Sequence, residues 1–170
     1  SQRVFDVLDA PLDVTDAPDA SPLPPLSCRV EFDDVAFRYP GSDREVFGEI
    51  SFSARPGQTV AILGTTGSGK STLVNLIPRF YDATGGRITI DGQDIRKATL
   101  QSLRRSVAVV QQDSFLFTTT IENNIAYGDP WAKEGRIERA SESAQLHNYV
   151  LGLPTGYGTV VGERGVSLSG

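Results

Sequence analysis

A chain of 170 residues, of which 39% are hydrophobic and 22% charged, has the composition of one folded domain and not of a disordered protein. Its net charge of −5 argues against a general binder of nucleic acid or of membrane surfaces, although a local site can still capture an anion. The single cysteine, Cys28, excludes an intrachain disulfide and a cysteine metal cluster, and no apolar run approaches the ~20 residues that span a bilayer.

The first 27 residues are predicted to form two segments that precede the folded domain. SQRVFDVLD, residues 1–9, spaces its apolar side chains as the last turns of an amphipathic helix do. Residues 10–27 are rich in proline, aspartate and alanine, a composition that favours an extended linker over a packed element. The domain proper is therefore expected to start near Cys28.

Three segments with alternating apolar and polar residues predict half-buried strands. The first covers residues 30–37 and is expected to contain a bulge or break at the double aspartate, Asp33 and Asp34. The second covers 50–54, and the third is RITIDG, which follows a pair of glycines. Because the first two are neighbours along the chain, they are expected to pair as antiparallel strands.

Two further segments, TVAIL at 59–63 and VAVV at 107–110, are continuously apolar, which predicts strands that are buried on both faces. Apolar residues at helical spacing predict one helix from Lys70 to about Phe80 and another over 99–105. The pattern from 119 to 153 is mostly helical, with interruptions at glycine and proline residues.

The stretch GTTGSGKST, between the first of these apolar segments and the first helix, matches the phosphate-binding loop pattern in full. In the order strand, loop, helix, backbone N–H groups and the positive helix end converge on one point, which favours phosphate as the ligand. Lys70 is placed to reach the β- and γ-phosphates of a nucleotide, Ser71 to ligate Mg²⁺ and Thr72 to meet the α-phosphate side. The alternative is a surface turn before a helix. The candidate nucleotide-binding residues of the loop are Gly64, Thr65, Thr66, Gly67, Ser68, Gly69, Lys70, Ser71 and Thr72.

Several other segments carry a resemblance that covers nearly the whole chain. They are VEFDDVAFRYPG, ISFSARPGQTVAILGTTGSGKSTLVNLIPRFYD, GRITIDGQDI, VVQQDSFLFTTTIENNIAYG and GERGVSLSG. In these segments the chain resembles the nucleotide-binding domain of ABC transporters, in particular the exporters in which a transmembrane domain precedes it. The resemblance implies an α/β fold of the P-loop NTPase class, with a mixed sheet core, an antiparallel β subdomain and a helical subdomain.

The resemblance also assigns roles to residues outside the loop. Tyr39 matches the aromatic residue that stacks on adenine; the alternative is a packed surface tyrosine at a strand end. Gln112 matches the glutamine of the Q-loop, which ligates Mg²⁺ or holds the attacking water, so that Gln112 and Lys70 are the candidate catalytic residues. Gln111 is the adjacent candidate, disfavoured because the family places the glutamine directly before an acidic residue. The end of the chain matches the start of the signature motif, which contacts ATP held by the opposite subunit; its residues are Ser167, Leu168, Ser169 and Gly170.

The function that the resemblance implies is an ATP-binding module which, in a full-length exporter, couples MgATP binding and hydrolysis to transport across a membrane. The implied cofactors are ATP and Mg²⁺. The implied partners are the transmembrane domain of the same transporter and a second nucleotide-binding domain, without nucleic acid, at the cytoplasmic face of the cell (inner) membrane. The alternative is a soluble ABC-type ATPase that acts on DNA or ribosomes, which the RVFDVLD helix and the proline-rich linker disfavour.

The resemblance divides the chain into three parts. Residues 1–27 are the end of a membrane-domain helix and its linker. Residues 28–110 form the core with the antiparallel β subdomain, and residues 111–170 form the Q-loop with the helical subdomain. The sequence has no methionine, even at position 1, and stops inside the signature motif, so it reads as a C-terminally truncated piece of a longer protein. The family's catalytic glutamate and switch histidine lie downstream, and His147 is predicted to be a helix-surface or packing residue. This piece alone is therefore expected to bind nucleotide at most, while the full-length parent is an ATPase.

Overall fold

The computed structural model describes residues 14–112 and 115–162. The chain divides into two compact units, with the boundary between Ala108 and Val109. Strands and helices of the first unit are β1 (Val30–Arg38), β2 (Glu45–Ala54), α1 (Lys70–Leu76), β3 (Gly85–Ile90), β4 (Gln93–Asp94) and α2 (Leu100–Ser106). Those of the second unit are β5 (Thr119–Thr120), α3 (Ile121–Ile125), α4 (Glu134–Ser143), α5 (His147–Leu151) and β6 (Val160–Val161).

The first unit is built on a four-stranded sheet in the order β2-β1-β3-β4, in which every pair is antiparallel. The pairing of β1 with β2 confirms the antiparallel prediction for the first two alternating segments. Their apolar side chains lie on one face and form the core together with both helices. The buried members of this core are Phe32, Val35, Phe37, Leu73, Leu76, Ile88, Ile90, Ile95 and Leu103.

The bulge predicted in the first strand is confirmed. The register of β1 shifts against β2 between Phe32 and Val35, and Asp34 has a positive φ of 51°. Opposite this bulge, Gly86 has a φ of 65°, and a Cβ there would lie 2.2 Å from the carbonyl oxygen of Asp34. Only glycine therefore allows β3 to pass this close to the bulged backbone.

The strands predicted at 59–63 and 107–110 are wrong for the described part of the chain, since neither segment forms a strand. Val60, Ile62 and Leu63 are 41%, 38% and 91% exposed, and Val110 is 96% exposed. A strand needs a neighbour that accepts and donates its backbone hydrogen bonds. The strands of the described residues pair only with one another, so these apolar segments lack such a neighbour there.

The helix predicted from Lys70 to Phe80 is shorter in the structure than predicted, since α1 already ends at Leu76. Pro78 carries no backbone N–H and disfavours a helical conformation at the residue before it, which stops the helix. The helix predicted over 99–105 is confirmed as α2, shifted by one residue. Thr99 caps it, since its side-chain oxygen accepts a hydrogen bond from the Ser102 backbone N–H.

The linker forms no regular element over residues 14–27, but it packs against the rest of the first unit, so the prediction of an unpacked segment is wrong there. A carboxylate oxygen of Asp16 accepts a 2.7 Å hydrogen bond from the backbone N–H of Leu100, at the start of α2. The backbone N–H of Leu23 donates to the Ser102 hydroxyl at 3.0 Å, and the Leu23 side chain packs on the core. The polar contacts of the linker therefore converge on α2, and its apolar contact is with the core. The helix predicted at 1–9 lies outside the described residues.

The second unit is mostly helical, as predicted for residues 119–153, although it begins with the short strand β5. This strand pairs antiparallel with β6 in a two-stranded sheet. Ile121, Val150 and Val161 are the buried residues of its core. Across the described ranges of both units, each helix is too short or too polar to cross a membrane.

Candidate nucleotide site

The phosphate-loop candidate wraps around the side chain of its own lysine. The ammonium of Lys70 donates hydrogen bonds to the backbone carbonyl oxygens of Gly64, at 2.8 Å, and Thr65, at 2.7 Å, and lies 3.5 Å from the Ser68 hydroxyl. The loop therefore closes over a cation that is half-buried and flanked by backbone on one side. A cation held in this way is placed to receive an anion from its open side.

The glycines of the loop are required by its backbone geometry. Gly67 and Gly69 have φ values of 81° and 87°, in the left-handed region that other residues rarely adopt. A Cβ on Gly69 would lie 2.8 Å from side-chain carbons of Val46 and Phe47 on β2, and one on Gly64 would lie 2.6 Å from the Ser68 hydroxyl. The loop therefore packs its backbone closely against the sheet and against itself.

The helix that leaves the loop favours a negative ligand. Its N-cap is Gly69, which has no side chain to cap the first backbone N–H groups, and its first turn contains no acidic residue. The first N–H groups of any α-helix have no partner within the helix and carry a partial positive charge. Together with Lys70 these groups make the start of α1 electropositive.

A cavity of about 370 Å³ brings the loop together with the predicted adenine-binding residue. Tyr39 lies directly after β1, is 37% exposed, and its hydroxyl is 2.8 Å from the hydroxyl oxygen of Thr72. The cavity is therefore bordered by an aromatic ring at one point and by the lysine and hydroxyl groups of the loop at another. The residues that line it are Tyr39, Ser42, Arg44, Glu45, Val46, Gly67, Gly69, Lys70, Ser71 and Thr72.

Two charged residues of this lining, Arg44 and Glu45, were not predicted from the sequence. They lie at the junction of the β1–β2 connection and the start of β2. The only signal that could have pointed to them was the polar run between the two alternating segments, which is typical of any hairpin connection. Their part in the site follows from the pairing of β1 with β2, which brings this connection beside α1.

The oxygen donors of the cavity fit a magnesium ion that arrives with a nucleotide. The Ser71 hydroxyl lines the cavity. In residues 14–112 and 115–162 no group of three or more His, Cys, Asp and Glu side chains could hold a metal ion. Mg²⁺ usually takes only one or two ligands from the protein and the rest from phosphates and water.

Other predicted site residues are not part of this cavity. Gln111 and Gln112 are exposed and belong to the second unit. The four signature residues, 167–170, lie outside the described residues, as does Asp113. His147 opens α5, and its Nδ1 is 2.8 Å from the hydroxyl of Tyr157, which agrees with its prediction as a helix-surface or packing residue.

Comparisons with known proteins place this site in a family. The family model for the ABC transporter matches residues 47–170. The ATP-dependent lipid A-core flippase of Syntrophus aciditrophicus is 46% identical over 170 residues, which are 100% of this chain and 28% of that protein. The ATP-binding cassette sub-family B member 6 of Rattus norvegicus is 47% identical over 169 residues, 99% of this chain and 20% of that protein. A putative multidrug export ATP-binding/permease protein of Staphylococcus aureus is 43% identical over 167 residues, 98% of this chain and 29% of that protein.

A solved structure described as a bacterial Atm1-family ABC exporter with ATP bound matches this chain with a TM-score of 0.86 and 44% identity. The match covers 99% of this chain and 30% of that one, and it confirms the predicted fold class, the ABC-type ATP-binding domain. The chain thus spans less than a third of the length of these relatives. The phosphate loop, the fold and the family match over most of the chain together show that the chain belongs to the ABC transporter family.

Proposed function

We propose that this chain is the ATP-binding part of an ABC exporter and that it binds MgATP in the cavity between Tyr39 and the phosphate loop. The observation that carries the proposal is the meeting of Tyr39, Lys70 and Ser71 around one cavity of about 370 Å³. An aromatic face binds any base by stacking, and a lysine with backbone N–H groups binds phosphates. ATP is the ligand that uses both ends of this cavity at once.

The chemistry of the loop explains how it would hold the phosphates. Lys70 donates to two neutral carbonyls, and a hydrogen bond from an ammonium to a phosphate oxygen is about twice as strong as one between neutral groups. The flexible lysine stem therefore allows the ammonium to exchange these carbonyls for the β- and γ-phosphates. Ser71 would hold the Mg²⁺ of MgATP, and this ion would neutralise part of the phosphate charge.

Hydrolysis in the full-length protein is assigned by the same proposal to residues beyond this cavity. Gln112 would contact Mg²⁺ or the attacking water, and Ser167, Leu168, Ser169 and Gly170 would contact ATP held by a second nucleotide-binding domain. This assignment is supported by the family membership and by the register of these residues with the Q-loop and signature patterns. The site of the proposed exporter is therefore completed only by dimerisation.

The membrane domain is the second proposed partner, and an exposed aromatic cluster in the second unit supports it. Phe115 and Phe117 pack edge to face at 5.0 Å, and Phe117 stacks on Tyr127 at 4.3 Å. These three rings are 61%, 40% and 65% exposed, and a contiguous exposed apolar patch is typical of an interaction surface. The names of the relatives, a flippase and an ATP-binding/permease protein, favour a membrane domain as its occupant and the cytoplasmic face of the membrane as its location. The soluble alternative has no such support.

A calorimetric titration of MgATP into the 170-residue chain tests the nucleotide site. We expect Lys70→Ala to weaken binding by at least about tenfold, because a charge-assisted hydrogen bond contributes about 1.5–3 kcal/mol. Lys133→Ala is the matched control, since Lys133 is an exposed lysine in the second unit and should leave the affinity unchanged. Equal affinities of Lys70→Ala and the unmodified chain for MgATP would overturn the proposal.

A further inference from the structure

The plane of the Tyr39 ring is set by neighbouring rings and not by the hydroxyl group at its end. The hydroxyl oxygen of a tyrosine lies on the axis about which the ring rotates, so the hydrogen bond to Thr72 leaves that rotation free. The torsion about this axis joins an sp³ carbon to an sp² carbon and has only a broad preference of its own. Contacts with the edges and faces of the ring therefore decide which way its stacking surface points.

Two rings make these contacts, and one of them lies at the edge of the core. Phe37 and Tyr81 pack nearly perpendicular to Tyr39, with ring centroids 4.8 and 5.2 Å away and interplanar angles of 84° and 89°. Phe37 is a core residue of β1 and is 1% exposed. Tyr81 is partly buried and lies in the connection between α1 and β3. Edge-to-face packing is a favoured arrangement of aromatic rings, so Tyr81 restrains the Tyr39 ring from outside its own strand.

An ion pair holds the backbone that carries Tyr81. Arg79 donates to both carboxylate oxygens of Asp82, from Nε at 2.7 Å and from Nη2 at 2.9 Å, and Tyr81 lies between these two residues in the chain. The Arg79 side chain is buried, and its backbone has a positive φ of 53°. A bidentate pair of guanidinium and carboxylate has a defined geometry. The segment 79–82 is therefore closed on itself, which makes Tyr81 a firm support.

Tyr81 supports Tyr39 without bordering the space assigned to the nucleotide. A second cavity, of about 350 Å³, is lined by Tyr81, Tyr39 and Phe37 among others. Tyr39 also lines the nucleotide cavity, whereas Tyr81 is not among the described residues that line it. Tyr81 is therefore placed to act on the base through the Tyr39 ring, and not by a contact of its own with base or phosphate.

We propose that Tyr81 is a positioning residue for nucleotide binding, which sets the plane of the Tyr39 ring on which the base stacks. The proposal rests on the function proposed above, because it presupposes that ATP occupies the cavity beside Tyr39. It assigns to Tyr81 a role in binding the base and none in binding the phosphates. A ring that is oriented before the nucleotide arrives loses less entropy when the base stacks on it.

The experiment compares two ligands, ATP and tripolyphosphate, which carries the phosphates without the base. Both are titrated with Mg²⁺ into the 170-residue chain and into its variant Tyr81→Leu, which removes the aromatic ring. We expect ATP to bind about two- to tenfold more weakly to the variant, the range that one aromatic pair is worth. Tripolyphosphate should bind both chains alike.

The same substitution in a Tyr39→Leu background tests whether Tyr81 acts through Tyr39. Tyr39→Leu removes the stacking surface and should itself weaken ATP binding by about fivefold or more. In this background Tyr81→Leu should cause no further loss, because two residues that act through one ring are not additive. A Tyr81 ring that touched the base directly would still contribute when Tyr39 is gone.

Three further variants separate positioning from a general loss of structure. Tyr81→Phe keeps the ring and should bind ATP as the unmodified chain does. Tyr81→Met fills a similar volume without a ring, and should repeat the selective loss of ATP binding if Tyr81→Leu folds poorly. Phe52→Leu removes another ring pair of the same sheet, 4.5 Å from Phe32 between centroids, and should change neither affinity.

Three results would overturn the proposal. They are an equal loss of ATP and tripolyphosphate affinity in Tyr81→Leu and Tyr81→Met, unchanged ATP affinity in both variants, and a loss of the same size in the Tyr39→Leu background. Failure of the nucleotide site itself is distinguishable, since ATP binding would then depend neither on Lys70 nor on Tyr39 in chains whose Tyr81 is intact.

Discussion

Gly69 determines whether the phosphate loop can lie against the sheet. Its φ of 87° is available to glycine without strain, and its missing side chain leaves room for Val46 and Phe47 on β2. Some other positive-φ glycines have the left-handed backbone but no close neighbour that a side chain would displace. Gly57, with a φ of 73°, has no atom within 4 Å of an added Cβ. The two positions therefore separate the effect of backbone strain from the effect of a clash.

Gly69→Ala is expected to destabilise the chain more than Gly57→Ala. The control substitution costs about 1–2 kcal/mol for the left-handed backbone alone, while Gly69→Ala adds the displacement of two packed side chains and should also abolish nucleotide binding. Urea denaturation followed by circular dichroism, with a MgATP titration of each variant, measures both effects. Equal free energies of unfolding for the two variants would contradict the close packing of the loop on β2.

Asp91 joins three elements at the start of the folded sheet. It lies with Gly92 in the two-residue connection between β3 and β4, where both residues have positive φ, of 50° and 82°. Its carboxylate accepts hydrogen bonds from the backbone N–H groups of Ser27, Cys28 and Arg29 at 2.7, 3.1 and 2.9 Å. A turn residue thus fastens the end of the linker and the beginning of β1 to the β3–β4 hairpin.

These hydrogen bonds make the stability of the chain depend on pH. The bond from Arg29 is the largest cause that lowers the pKa of Asp91 below its ordinary value of 3.8; loss of hydration opposes it, and the bonds from Cys28 and Ser27 add to it. Because the pKa is lower in the folded chain, the ionised form stabilises the fold. This contribution is fully present well above pH 3.8 and is lost as the pH falls through the lower, folded value.

Asp91→Asn is therefore expected to lower the midpoint of urea unfolding at pH 7 and to have less effect as the pH falls below about 4. Asparagine tolerates a positive φ, so the substitution removes the charge and leaves the turn geometry possible. Asp19→Asn, an exposed aspartate of the linker, is the control and should change neither the midpoint nor its pH profile. A constant difference between unmodified chain and Asp91→Asn from pH 3 to pH 7 would count against the role of the carboxylate.

At the scale of the whole molecule, the described structure leaves apolar segments without a cover. Leu63 in the first unit and Val110 in the second are 91% and 96% exposed, and each belongs to a continuously apolar segment. Single exposed apolar residues are ordinary on protein surfaces, but apolar backbone segments that lack a strand neighbour favour association with other chains.

The 170-residue chain is accordingly expected to bind the dye ANS and to sediment as a concentration-dependent oligomer. The double substitution of Leu63→Ser and Val110→Ser should reduce dye fluorescence by about half or more and shift the sedimentation towards the monomer, because it removes the two most exposed apolar side chains of these segments. Leu151→Ser, at a residue that is 60% exposed on α5 and outside both segments, is the matched control and should have little effect. A monomer that binds no dye would show that both segments are covered in solution.

Sequence by itself determined the features that depend on residues close together along the chain. Alternation of apolar and polar residues predicted β1, β2 and β3, and the double aspartate predicted the bulge. The spacing of glycines, Lys70 and Ser71 predicted the loop. These predictions were possible because periodicity, backbone freedom and motif spacing are local properties. Tertiary structure alone decided how distant segments meet. The bond from Tyr39 to Thr72, the inclusion of Arg44 and Glu45 in the cavity and the packing of the linker on α2 all join residues from different elements. The predicted strands at 59–63 and 107–110 failed for the same reason, since an apolar segment becomes a buried strand only where another strand lies beside it to complete its hydrogen bonds.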